Sequence, residues 1–366
     1  MEGEVYRQLA QHLATLGMGY PAGEELEVIL RENLTPKEAA IALCLPTKTR
    51  PLEPASIDEI AQRAEGSRSE LAEILERLAS RGLLFSGRTR DGKKGFALQQ
   101  MGYGFPQAFF WKGEKTPDTQ RIARLIHDYA KTKNINFEAY GTTETKNYRY
   151  IPVKESIEED MHAVLPFEQM EHIIERAARI AIAHCACRVS ADLRGRKRCA
   201  YPMEVCMKYD ELAIYVIDRG MGREISKQEA LHIIQTCEEA GLVHMVENAR
   251  NEVKHTCNCC GCCCWSVGTI KRRRIPRDVL VATYFIRDTH KGACLGCGQC
   301  IEVCPVNAIH MDGDYPVVDT AWCIGCGLCV KPCPESAAAL KRKTPEIPPE
   351  NFQELHRRIL EERRFP

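Results

Sequence analysis

CLGCGQCIEVCP (294–305) and CIGCGLCVKPCP (323–334) are one pattern written twice, C-x2-C-x2-C-x3-C followed by proline. The match extends beyond the cysteines, through CLGCGQCIEVCPVNAI against CIGCGLCVKPCPESAA. Pairs of C-x2-C also bind zinc, but a tetrahedral zinc site has no use for a third cysteine at the same spacing or for a C-x3-C-P ending. Glycines at 296, 298, 325 and 327 suit a loop that needs unusual φ and close backbone approach.

Over residues 281–341 the chain resembles a bacterial ferredoxin domain with two [4Fe-4S] clusters, with every ligand position filled. In that family three thiolates of a cluster come from one tight loop and the fourth from the last cysteine of the other repeat. The resemblance therefore implies one cluster on Cys294, Cys297, Cys300 and Cys333, and a second on Cys323, Cys326, Cys329 and Cys304.

The chain has 366 residues, enough for two or three domains, and its 44% hydrophobic and 27% charged content is ordinary for a soluble globular protein. Formal net charge is zero, so no global field favours nucleic acid or a membrane surface. The N-terminus lacks the pattern of a signal peptide, and the longest apolar run, near 278–286, is too short to span a bilayer. A cytoplasmic setting is expected, where the twenty cysteines serve as metal ligands rather than disulfides.

Ten of those cysteines lie in the middle of the chain. Cys185, Cys187, Cys199 and Cys206 follow a helical pattern and flank a basic loop, and they read as a third metal site, iron–sulfur in preference to zinc. HTCNCCGCCCW (255–265) adds Cys257, Cys259, Cys260, Cys262, Cys263 and Cys264, a possible further site, because thiols this dense oxidise unless metal holds them. Together the ten could hold one or two additional clusters. Its CCG tripeptide resembles an element of heterodisulfide-reductase-type cysteine-rich domains, but the spacing that follows departs from that family. Cys44 and Cys237 stand alone and read as small core residues.

The fold class expected is α+β in three parts. Residues 1–110 resemble a winged helix, with capping boxes at Thr35/Glu38 and Ser56/Glu59 and a hairpin turning at Asp91-Gly92. Its third helix carries Glu70, Glu73 and Glu76, which disfavours nucleic acid as a partner. A cysteine-rich α/β domain spans 111–270, with a helix over 167–184 and a strand at ELAIYVID (211–218). The ferredoxin domain, 281–341, precedes a terminal helix within 342–366. The expected function is electron transfer between redox partner proteins in an anaerobic or low-potential metabolism. The alternatives are an iron–sulfur reductase and a redox-responsive DNA-binding regulator.

Overall fold

The computed structural model describes residues 2–132, 135–157 and 166–363. It is a mixed α+β fold. The N-terminal part runs α1 (Glu2–Ala14), α2 (Glu24–Asn33), α3 (Pro36–Ala42), β1 (Ala55–Ser56), α4 (Ile57–Ala61) and α5 (Arg68–Ser80). A hairpin of β2 (Leu84–Arg88) and β3 (Lys94–Leu98) closes it. These strands form a three-stranded antiparallel sheet in the order β1-β3-β2. Thr35 and Ser56 start their helices through reciprocal capping boxes with Glu38 and Glu59, so the backbone amides at both helix starts are satisfied locally.

The aromatic stretch after β3 is core. Tyr103, Phe110 and Trp111 are fully buried and share one apolar cluster with α1, α2, α5 and α6 (Pro117–Thr132). The same cluster takes in Ala181, Val189, Leu212 and Tyr215, so it runs across the boundary expected near residue 110.

The centre contains β4 (Tyr148–Ile151), α7 (Met170–Arg176), β5 (Ile180–His184), α8 (Ala186–Leu193), β6 (Glu204–Tyr209) and α9 (Asp210–Asp218). After these come β7 (Arg223–Glu224), α10 (Lys227–Glu239), β8 (Val243–Glu247), β9 (His255–Cys259), α11 (Val267–Lys271), α12 (Arg277–Leu280) and β10 (Val281–Ala282). Among the described residues they build a seven-stranded sheet ordered β10-β4-β8-β9-β6-β5-β7, antiparallel except for the β10/β4 pair.

Two expectations are corrected here. The helix over 167–184 stops at Arg176, and 180–184 is a strand lying between β6 and β7. Ile180 and Ile182 fill the core beneath the sheet, so tertiary packing overrides the helical tendency of the neighbouring alanines. ELAIYVID is a helix, with Leu212, Ala213, Tyr215 and Val216 buried on one face and Asp210 and Glu211 in its first turn. Its β-branched residues suggested a strand, but the apolar spacing is that of a helix.

The C-terminal part comprises β11 (Phe285–Thr289), α13 (Gln299–Glu302), β12 (Ile309–Asp312), β13 (Tyr315–Val318) and β14 (Ala338–Arg342). Two antiparallel pairs, β11/β14 and β12/β13, frame the cysteine loops. Finally α14 (Phe352–Glu362) packs back on the body, burying Phe352, Leu355, His356 and Ile359.

Candidate metal centres

The two C-terminal repeats hold their thiols by the same device. Ala308 N–H donates to Cys304 Sγ and Ala337 N–H to Cys333 Sγ, each at 3.2 Å and each four residues beyond its cysteine. Backbone donors aimed at sulfur stabilise thiolate charge. Gly325, at positive φ, brings the second loop against the chain at Phe285, where a Cβ would lie 2.3 Å from a carbonyl oxygen. Arg287 is almost fully buried between the repeats; its Nη2 lies 3.5 Å from Cys300 Sγ, and burial pushes the Cys329 thiol up to about 12 against the opposing charge of Arg287.

Cys304 packs against the apolar cluster that contains Cys323 and Cys326 of the other repeat. Burial raises the Cys326 thiol far above its ordinary range, and the neighbouring charges of Cys329, Cys304 and Cys323 push it the same way. Cys304 is itself raised by burial and by Cys323. Protonated thiols so placed are unfavourable neighbours once ionised, and a bound cationic iron core removes that conflict. The donor set and its amide hydrogen bonds fit [4Fe-4S] clusters.

The repeats differ in exposure. Cys297 is exposed and Leu295 beside it is 69% exposed, whereas Cys323, Cys326 and Cys329 are all buried. The second repeat is tied to the central sheet by Val153 N–H, which donates to Cys326 O at 2.9 Å, and by Arg277, which donates to Cys323 O.

The ten central thiols fall into two groups. Cys199, Cys260, Cys262 and Cys263 have all their sulfurs within 4.8 Å of one another. Among the described residues no other set of three or more His, Cys, Asp or Glu side chains meets that limit. A tetrahedral ion with arms of about 2.3 Å sets its sulfurs about 3.8 Å apart. Cys199 Sγ lies 3.8 Å from Cys263 Sγ. Hydrogen bonding from Cys263 lowers the Cys260 thiol to about 5, so one member ionises readily.

Cys185, Cys187, Cys206, Cys257, Cys259 and Cys264 form the other group, around a largely apolar cavity of about 70 Å³ that Cys260 of the tetrad also lines. Their thiols bond in a string: Cys187 to Cys185 and Cys264, Cys259 to Cys264 and Cys257, and Cys257 to Cys206. Cys257 is lowered well below its ordinary value by bonds from Cys206 and Cys259, and Cys264 by bonds from Cys187 and Cys259.

Sequence reasoning joined Cys199 to Cys185, Cys187 and Cys206; in the fold Cys199 still packs against the same apolar cluster as Cys185, but its sulfur groups with Cys260, Cys262 and Cys263. The antiparallel β6/β9 pair sets Cys206 opposite Cys257, while the loop after α8 carries Cys199 to Cys263. HTCNCCGCCCW is thus shared. Cys257 and Cys259 on β9, together with Cys264, line the cavity, Cys262 and Cys263 turn to Cys199, and Cys260 lies between, lining the cavity with its sulfur inside the tetrad.

The cations that balance these thiols were missed in the sequence. Lys208 is buried; its Nζ donates to Cys206 Sγ at 3.1 Å and sits 4.6 Å from the centre of the Trp111 ring. Burial would lower its pKa, but Cys206 and Cys257 hold it raised, so it stays charged. Alternation along β6 could have found it, since Cys206 and Lys208 share a face. Arg188, fully buried, is likewise opposed by burial and held charged by Cys185 and Cys260.

Residues 293–337 match the family model described as a 4Fe-4S dicluster domain. Neither the curated proteins nor the solved structures give a match. The C-terminal region is therefore a ferredoxin-like iron–sulfur domain. No described helix is long and apolar enough to cross a membrane.

Proposed function

We propose that this chain is an electron-transfer protein in which the exposed first repeat exchanges electrons with a redox partner and the buried second repeat connects it to metal in the centre. One observation carries this reading. Cys323 and Cys326 share a single apolar cluster with Cys259 and Cys264, with Tyr150 among them. Burial raises the Tyr150 hydroxyl well above its ordinary value, and the charges of Cys264, Cys259 and Cys326 add to that, so the ring lies within the field of both sites.

Bound clusters supply one-electron carriage, and the protein keeps them close, dry and tuned by amide donors. The ligand sets follow the family pattern in the repeats: Cys294, Cys297, Cys300 and Cys333 for the first cluster, Cys323, Cys326, Cys329 and Cys304 for the second. The six-thiol cavity holds a further iron–sulfur cluster, and the Cys199 tetrad holds a single divalent ion of the zinc class. A redox partner docks over Leu295, where Met311, Tyr315 and Val317 are also exposed. Reduced cysteines throughout suit a cytoplasmic setting.

The N-terminal order of helix, strand, two helices and hairpin supports a winged-helix scaffold. Its α5 is engaged by the body: Arg219 donates to Glu76 at 2.7 Å, and Tyr215 Oη to Ala79 O at 3.2 Å. That favours docking over DNA reading.

Iron, sulfide and zinc analysis of anaerobically purified protein, with EPR after reduction, tests the proposal. About twelve irons or more and one zinc per chain are expected. Colourless protein with zinc in the repeats would overturn it.

A further inference from the structure

Beside the tetrad, a cavity of about 400 Å³ opens between α6, α8 and the segment after α11, with Cys262 and Cys263 in its lining. Five cations converge on it from these elements: Lys131, Arg194, Arg196, Arg272 and Arg274. Among the described residues no carboxylate lines it. Among the described residues none of the five is in an ion pair.

The thiols alone do not account for so much positive charge. Arg188 and Lys208 already serve the thiols from inside the fold. Among the described residues none of the cavity guanidiniums hydrogen-bonds a sulfur, and Cys263 and Cys264 reach Arg194 and Arg272 only through charge; Arg194 donates instead to Ser190 O at 3.1 Å. A divalent ion on four thiolates leaves about two negative charges, fewer than the cations present, even with Asp128 close by. Arg194 and Arg272 are each lowered by burial and by a neighbouring guanidinium, Arg196 or Arg274. Partly dehydrated like charges held together are unfavourable until an anion joins them.

The chain at 271–274 is arranged to build this cavity. Arg273, at positive φ, turns the other way, donating to Asn307 O at 2.7 Å and stacking over Trp322. Arg272 and Arg274 are thereby left facing the cavity. One wall is apolar, formed by Ile126, Ile135 and half-buried Trp265.

We propose that this cavity binds a small phosphate-bearing organic molecule, its phosphates held by the Arg194, Arg272 and Arg274 guanidiniums and its organic part against Trp265. Guanidinium forks match phosphate oxygens, and the volume falls in the range of small-molecule sites rather than protein docking faces. The site goes beyond electron transfer and does not depend on which metal fills the tetrad.

Calorimetry on the full, metal-loaded chain tests it, with ADP, pyrophosphate and citrate as probes. ADP and pyrophosphate are expected to bind competitively and to quench Trp265 fluorescence in the case of ADP. Arg272→Gln and Arg274→Gln should each weaken binding about tenfold or more, the loss of one charge-assisted contact. Arg273→Gln, whose side chain points away, should leave binding unchanged. No binding of either phosphate probe to the wild-type chain would overturn the proposal, as would binding that ignores Arg272 and Arg274. Citrate binding as tightly as pyrophosphate would overturn the phosphate class. These wild-type measurements decide the matter even if a variant fails to fold.

Discussion

Eight cysteines in the C-terminal repeats are held apart by backbone, while ten in the centre lean on one another. In the repeats the sulfurs take hydrogen bonds from main-chain amides, at Ala308 and Ala337, with one side-chain cation, Arg287, beside Cys300, and they influence each other through charge. In the centre, thiols bond directly to thiols, and buried cations, Lys208 and Arg188, balance them. Wide spacing with amide donors leaves room for an inorganic core with its own sulfides; a tetrad whose sulfurs lie within 4.8 Å leaves room for one ion. Cysteine number alone does not distinguish these cases; sulfur separation does.

The largest test breaks the comparison in the repeats. Cys304→Ala should remove about four irons, and the EPR signal that remains should match that of Cys326→Ala rather than Cys297→Ala. A match to Cys297→Ala would mean that each loop keeps its own fourth cysteine.

Lys208→Met asks how far the centre depends on its buried side-chain cation. Removing one partner of a buried charge pair costs about 3–5 kcal/mol. Central iron should be lost while the signals of the repeats persist, as followed by metal content and denaturant midpoint.

Gly261→Ala probes the join between the two regions. A Cβ at Gly261 would lie 2.1 Å from the carbonyl oxygen of Pro305, the proline that follows Cys304. Backbone must move, at about 1–3 kcal/mol, and electron exchange between the repeats and the centre should slow with iron content unchanged. Unchanged exchange kinetics would dissociate this contact from the electron path.

The smallest effect is set by pH. His356 is fully buried, 2.8 Å from Tyr103 Oη, and burial lowers it from 6.5 to about 3. Below about 6.5 the unfolded chain takes up a proton that the folded chain refuses, so stability is complete above that pH and is lost as pH falls toward 3. The slope is about 1.4 kcal/mol per pH unit. Chemical denaturation at pH 7 and 5.5 should show this loss in the wild type and not in His356→Gln, whereas the repeats contribute nothing to it.

The sequence determined the local features with fixed spacing, though not the strand at 180–184, where packing overrode the helical tendency. Two loops of fixed cysteine spacing, capping boxes at Thr35 and Ser56, and the turn at Gly92 each lie within a dozen residues, where bond geometry leaves few choices. Even the helix at ELAIYVID was legible from its apolar spacing, had composition weighed less. Tertiary structure alone decided how the central thiols divide. Cys206 meets Cys257 through strand register, and Cys199 reaches Cys263 across 64 residues. Such pairings follow from how strands and loops pack, and no spacing along the chain records them. The convergence of Arg194 and Arg272 on one cavity was hidden for the same reason: each belongs to a separate basic run, and only folding makes them neighbours.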